Sequence, residues 1–178
     1  MAANISNKAA IAGIGATAFS KDSGRSELAL AAEAVKKALD DAGLKPADVK
    51  GMVTFTIDQN EEVDVARALG CNDLSFYARV PYGGGAATGT LLQAAMAVAS
   101  GVADVVVVYR ALNGRSGQRY SSGVSGNLIS GSALHYGWYM PFGMLTPASW
   151  VATFTQRYMH VTGCPRDALF EIAHSTRE

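Results

Sequence analysis

Residues 80–110 read VPYGGGAATGTLLQAAMAVASGVADVVVVYR, and this stretch limits the folds open to the chain more than any other. Gly83, Gly84 and Gly85 follow Pro81 and Tyr82, and small residues continue through Ala86, Ala87, Thr88 and Gly89. Leu91, Leu92, Ala95, Met96 and Ala99 then recur at helical spacing, and Gly101 ends the run as a C′ glycine does. Residues 105–108 are all valine, which predicts a strand buried on both faces. The order is therefore glycine turn, helix, strand. Small residues let a helix sit close to another backbone, so this helix is expected at the centre of the fold. Its amino end directs free N–H groups and the positive end of its dipole beyond the glycines. An oxyanion or a reactive group suits such a place. A tight packing turn with no chemistry accounts for the glycines equally well.

The flanking chain alternates. Residues 8–15, KAAIAGIG, are an apolar run ending in glycines and predict a first strand. A dinucleotide fingerprint would need a helix to open at once with a third glycine; Gly13 and Gly15 are followed by Ala18, and the helix begins only near Ser26. Over 26–42, Leu28, Ala31, Ala32, Val35, Leu39 and Ala42 share one face, with Glu33, Lys36, Lys37, Asp40 and Asp41 opposite and Gly43 as the stop. Residues 45–49 predict a short helical turn, 52–57 a strand, 61–69 a helix closed by Gly70, and 75–80 (SFYARV) an alternating strand. This is the order of an α/β layered domain with a mostly parallel sheet and crossover helices.

After Arg110 the character changes. Residues 111–139 carry glycine and serine throughout, a length of loop that is usually functional or mobile. Pro147, with Thr146 as cap, opens a helix through Trp150, Phe154 and Tyr158 to Val161, stopped by Gly163. A last helix is expected over 165–177, with Leu169, Ile172 and Ala173 apolar.

The formal net charge is zero and no basic run exists, which argues against nucleic-acid binding. No apolar stretch approaches the roughly 18 residues of a membrane span. Residues 1–8 lack the apolar core of a signal peptide. Cys71 and Cys164 form neither a disulfide framework nor a CxxC metal site, so both are expected to be structural and no metal is expected. A cytoplasmic location fits this cysteine usage.

Four segments together resemble the N-terminal half of the thiolase superfamily, on its sterol-carrier/lipid-transfer-protein branch. They are AAIAGIGATAFSKDSGRSELALAAEAVKKALDDAGL, the glycine turn and helix with GVADVVVVYRA, GMLTPASWVA, and RYMHVTGCPRDALFEIA. The resemblance spans nearly all 178 residues. It implies a thiolase-like layered α/β fold, with a mixed, mostly parallel sheet and a central buried helix. Residues 1–110 would form the core and 111–178 a loop domain with two helices, the C-terminal thiolase half being absent from this chain.

Counting back from GVAD, the family's nucleophilic cysteine falls on Gly84, which cannot form an acyl-thioester. One group in this branch lacks that cysteine and carries a segment similar to YRALNGRSGQRYSSG, residues 109–123 here. It is the thiolase-like aldolases of steroid side-chain degradation, as in cholesterol catabolism. The resemblance implies retro-aldol cleavage of a β-hydroxy acyl-CoA to a ketone and propionyl-CoA or acetyl-CoA. Coenzyme A enters only as part of the substrate, with no covalently bound cofactor. It further implies a homodimer through the edge strand 75–80, and a heterotetramer with a small DUF35 partner bearing a zinc ribbon and an OB-fold.

Retro-aldol chemistry needs a base for the hydroxyl proton and donors for the enolate oxygen. Main-chain N–H groups over 83–86, including Gly83 and Gly85, suit the second task, and the missing side chain at Gly84 leaves room for a branched substrate carbon. Tyr82, Tyr120, His135 and Tyr136 are the candidate bases; of these His135 has the fitting unperturbed pKa, though a histidine beside Tyr136 and Trp138 also suits packing. The absent half is an equal candidate to supply the base. Arg110, Arg115 and Arg119 can meet coenzyme A phosphates or serve an interface. Tyr136, Trp138, Tyr139 and Phe142 can line an apolar steroid pocket or pack the loop layer. His160 and His174 are expected at the helix surface. Two other functions stand beside it: a non-catalytic lipid-transfer or scaffold subunit, which glycine in place of cysteine also allows, and, ranked last, a conventional acetyl-CoA acyltransferase with its nucleophile elsewhere.

Overall fold

The computed structural model describes residues 5–55, 60–80, 87–115, 137–144 and 146–177. The chain divides into two units, Met1–Gln118 and Arg119–Glu178.

The first unit is a mixed α/β layer. Its elements are α1 (Glu27–Ala42), β1 (Gly51–Phe55), α2 (Glu62–Leu69), β2 (Phe76–Val80), α3 (Ala87–Ala99 among the described residues) and β3 (Val106–Val108). The Ser26 side chain accepts the Ala29 N–H and caps α1, and Gly43 ends it at φ 68°, a conformation that costs a residue with a Cβ. The predicted apolar face is the one buried, through Ala31, Val35 and Leu39. On the outer face Lys37 and Arg25 both pair with Glu33, and these two cations hold its carboxyl below the usual carboxylate range.

The three strands are parallel in the order β2-β1-β3. All five residues of β1 are buried. Alternate strand residues point to opposite faces. Met52 joins α1, α2, Val49 and Cys71 in one cluster, while Val53 and Phe55 are buried on the other side of the strand. α3 packs across all three strands. The strand covered on both faces is thus β1, not the valine run: Val106–Val108 are only half-buried because β3 lies at an edge. The predicted edge strand is β2, which does lie at an edge of the sheet, with Tyr77 exposed. α3 buries Thr90 and Ala97 but leaves Leu91 and Leu92 about half exposed, so among the described residues it is covered on its sheet side.

Residues 8–15 do not form the expected strand. They lie against α1. The Ile14 N–H donates to Asp41 Oδ2 (2.9 Å), and Lys37 Nζ donates to the Ala16 carbonyl (3.1 Å). A Cβ on Gly13 or Gly15 would run into the carbonyls of Ala38 and Ala34, so these glycines serve close approach to a helix rather than the end of a strand.

In the second unit α4 (Pro147–Thr162) and α5 (Asp167–Ser175) fall where the sequence places helices. Thr146 holds the cap position with extended backbone, but its hydroxyl meets Ser149 Oγ (3.4 Å) and caps no backbone N–H. Tyr139 and Trp150 stack at 5.1 Å, and Trp150 Nε1 donates to the Met144 carbonyl (3.2 Å). His160 and His174 are exposed on the helices, as expected. No helix among the described residues is long and apolar enough to cross a membrane.

Cys71 is buried in the first unit's core, and burial pushes its thiol pKa up; Cys164 is partly accessible. Thiolate is the reactive form. An aromatic disulfide reagent at pH about 8 is therefore expected to titrate Cys164 promptly and to reach Cys71 only on unfolding. Rapid release of two equivalents from the folded protein would contradict this.

Candidate active site

The parallel register aligns Phe55 with Val80, and Val53 with Val108, so the three strands end at one edge of the sheet. Phe55, Val80 and Val108 stand at that carboxyl edge, and the described chain continues from it through Tyr109 to Arg115. Ligands of open α/β sheets bind outside the carboxyl ends of the strands, which makes this edge the candidate site.

Two of its groups come from β3's continuation. Tyr109 is buried, and its backbone N–H donates to the Val53 carbonyl (3.2 Å) while its own carbonyl accepts from Thr54 Oγ1 (3.1 Å). Arg110 emerges beside it, exposed, with its guanidinium 5.5 Å from the Phe55 ring centroid. An exposed cation at the carboxyl edge is free to meet an anionic ligand there.

Asn113 then ties this exit to the segment before α1. Its Nδ2 donates to the Arg25 carbonyl (2.7 Å), and its Oδ1 accepts from Ser23 Oγ (3.1 Å). Arg115 follows, exposed. Asn113 lies within YRALNGRSG, and no periodicity or spacing in the sequence marks this contact.

Across the edge sits a polar cluster that the sequence reading missed. Arg79 Nε donates to Glu62 Oε1 (3.2 Å) and its terminal nitrogen to the Asn60 carbonyl (2.7 Å), with Glu61 at 3.4 Å. Burial works against the Arg79 charge, but the hydrogen bond and charge of Glu62 outweigh it and raise its pKa further above the usual guanidinium value. Tyr109 Oη donates to the same Asn60 carbonyl (3.1 Å). The only available signal was a lone arginine in the apolar run SFYARV.

Of the expected site residues, Arg110 and Arg115 belong to the first unit's carboxyl edge and its continuation. Trp138 is exposed in the second unit. Tyr82, Gly83, Gly84, Gly85, Arg119, Tyr120, His135 and Tyr136 lie outside the described residues.

Fold and site define an α/β chain with a parallel sheet whose carboxyl edge carries an exposed cation and a partly buried ion pair. Comparison with known proteins makes the likeness particular. The chain is 58% identical over 167 residues to a steroid side-chain-cleaving aldolase of Thermomonospora curvata, a match covering 93% of this chain and 43% of that protein. It is 55% identical over 162 residues to a 17-hydroxy-3-oxo-4-pregnene-20-carboxyl-CoA lyase of Mycobacterium tuberculosis, covering 89% and 42% respectively. Among solved structures it is similar to the Ltp2-ChsH2(DUF35) aldolase, with TM-score 0.69 and 58% identity over 87% of this chain and 38% of that one. The chain thus spans about two-fifths of the length of the relatives it matches. No family model matches the sequence.

Proposed function

We propose that the protein is a thiolase-like aldolase, a carbon-carbon lyase acting on a β-hydroxy acyl-CoA with a steroid side chain. The observation that carries this is the 58% identity, over 93% of the chain, with a steroid side-chain-cleaving aldolase. The lyase relative, named for a steroid carboxyl-CoA, supports coenzyme A as part of the substrate.

In the proposed reaction a base removes the proton of the β-hydroxyl. Its oxygen forms the ketone carbonyl as the bond between the α and β carbons breaks. The electron pair passes into the thioester as an enolate, and protonation at the α carbon gives propionyl-CoA or acetyl-CoA. The assigned tasks of this chain are to hold the thioester and receive the enolate oxygen. Main-chain donors of residues 83–86 would face that oxygen, and Arg110, Arg115 and Arg119 would meet the coenzyme A phosphates. Tyr136 and Trp138 would contact the steroid; Tyr82, Tyr120 and His135 are the chain's candidate bases.

The partner is proposed as a DUF35 protein, on the likeness to the Ltp2-ChsH2(DUF35) aldolase. β2 at the sheet edge suits pairing with a second copy, giving a homodimer core flanked by partner chains. The test is to incubate the full-length protein, with and without the DUF35 partner, with a steroid β-hydroxy acyl-CoA. Saturable release of the ketone in equal amount to the shorter acyl-CoA is expected. Tight binding of the thioester without any release would leave a lipid-transfer or scaffold role in its place.

A further inference from the structure

We propose that Arg79 is a positioning residue that locks the carboxyl edge of the sheet by holding the backbone carbonyl of Asn60. For its kinetic arm the proposal rests on the aldolase reading; its structural arm does not.

Arg79 is the one charged residue of β2. Its fork reaches both carboxylate oxygens of Glu62, at 3.2 and 3.5 Å, and at the same time the Asn60 carbonyl at 2.7 Å. Tyr109, just past β3, adds its hydroxyl to that carbonyl. Asn60 in turn stands directly after residues 56–59, which continue β1. One oxygen thus ties β2 and the residue after β3 to the segment that enters α2. Arg79 is also two residues ahead of the 81–86 turn assigned to the enolate oxygen.

Stability alone does not explain the cluster. The Glu62 side chain is only 8% exposed, and taking such a pair out of water costs about as much as the pair returns. An apolar pair would hold β2 to α2 as well. What an apolar pair cannot do is orient a carbonyl, and what lysine cannot do is reach carboxylate and carbonyl through one rigid planar fork. Geometry at the edge is the property that needs arginine here.

The experiment uses the full-length protein with its DUF35 partner. R79K keeps the charge and removes the fork; Y109F removes one hydroxyl. R79K is expected to lower kcat about tenfold with KM within about threefold, the signature of misplaced rather than missing binding groups. Y109F should act in the same direction and more weakly, and the double variant should be no slower than R79K alone, because both act on one carbonyl. Without substrate, amide hydrogen exchange over residues 60–65 should quicken about tenfold in R79K while β1 amides keep their rates. Unchanged exchange over 60–65, or equal quickening throughout β1, would overturn the proposal. Failure of the unmodified protein to cleave any β-hydroxy acyl-CoA would instead remove the aldolase reading, and the exchange result would still decide the role of Arg79.

Discussion

Phe55→Ala should destabilise the protein by about 3–5 kcal/mol, the usual cost of truncating a fully buried phenylalanine. Phe55 is 2% exposed at the end of β1, a strand flanked on both edges and covered on both faces. The loss should show as a fall of roughly 10–20 °C in the thermal midpoint of the unit containing it. Arg110 also stacks on this ring, but an exposed cation–π contact contributes only about 0.5–1 kcal/mol. Packing therefore outweighs the stacking. Arg110→Ala separates the two: it should cost under about 1 kcal/mol while removing a cation from the candidate site. A similar midpoint for Phe55→Ala and the unsubstituted protein would mean that β1 is not the centre of the core.

Where signals were local, they were enough. Ser26, the apolar positions Ala31, Val35 and Leu39, and Gly43 lie within one helix length, and α1 begins and ends where they place it. α2, β2 and the two C-terminal helices follow for the same reason. The misplaced strand and the misjudged burial depended on what each segment packs against. Four valines in succession suit a doubly covered strand, but whether a strand is central depends on its neighbours, and GMVTF took that place between β2 and β3. The glycines of residues 8–15 suit a strand end and a helix contact equally; only the position of Ala34 and Ala38 decides between them.

The candidate site divides in the same way. Arg110 was legible because it follows a buried strand directly. The Arg79–Glu62 pair spans 17 residues and the Tyr109–Asn60 contact 49, and neither separation leaves a periodic trace. Glu62 also looks like an ordinary acidic residue in the first turn of a helix, where the dipole favours it. Its burial against β2 becomes visible only once α2 is folded back on the sheet. The glycine turn was conspicuous because three glycines stand in a row, and its proposed chemistry can be tested through one of them.

Gly84→Leu is expected to lower kcat/KM for cleavage of the steroid thioester at least about 100-fold, or roughly 2.7 kcal/mol of transition-state stabilisation. The argument begins with position. Residues 81–86 join β2 to α3 at the carboxyl edge, where ligands of parallel sheets bind. By resemblance Gly84 stands where thiolases carry the nucleophilic cysteine, the residue closest to the reacting carbon. A retro-aldol step requires no nucleophile there, but it does require space for a fully substituted β carbon. A leucine side chain would occupy that space, and a shift of about 1 Å at the reacting centre is enough to cost a hundredfold. Gly84→Ala adds a single methyl and should lose less, and the loss in both variants should grow with the bulk of the group on the β carbon. That gradient separates a steric role from general damage, which would slow small and large substrates alike. Thermal midpoints measured alongside establish that each variant is folded. A Gly84→Leu protein that cleaves bulky substrates at the unsubstituted rate would remove the glycine turn from the site and return it to packing.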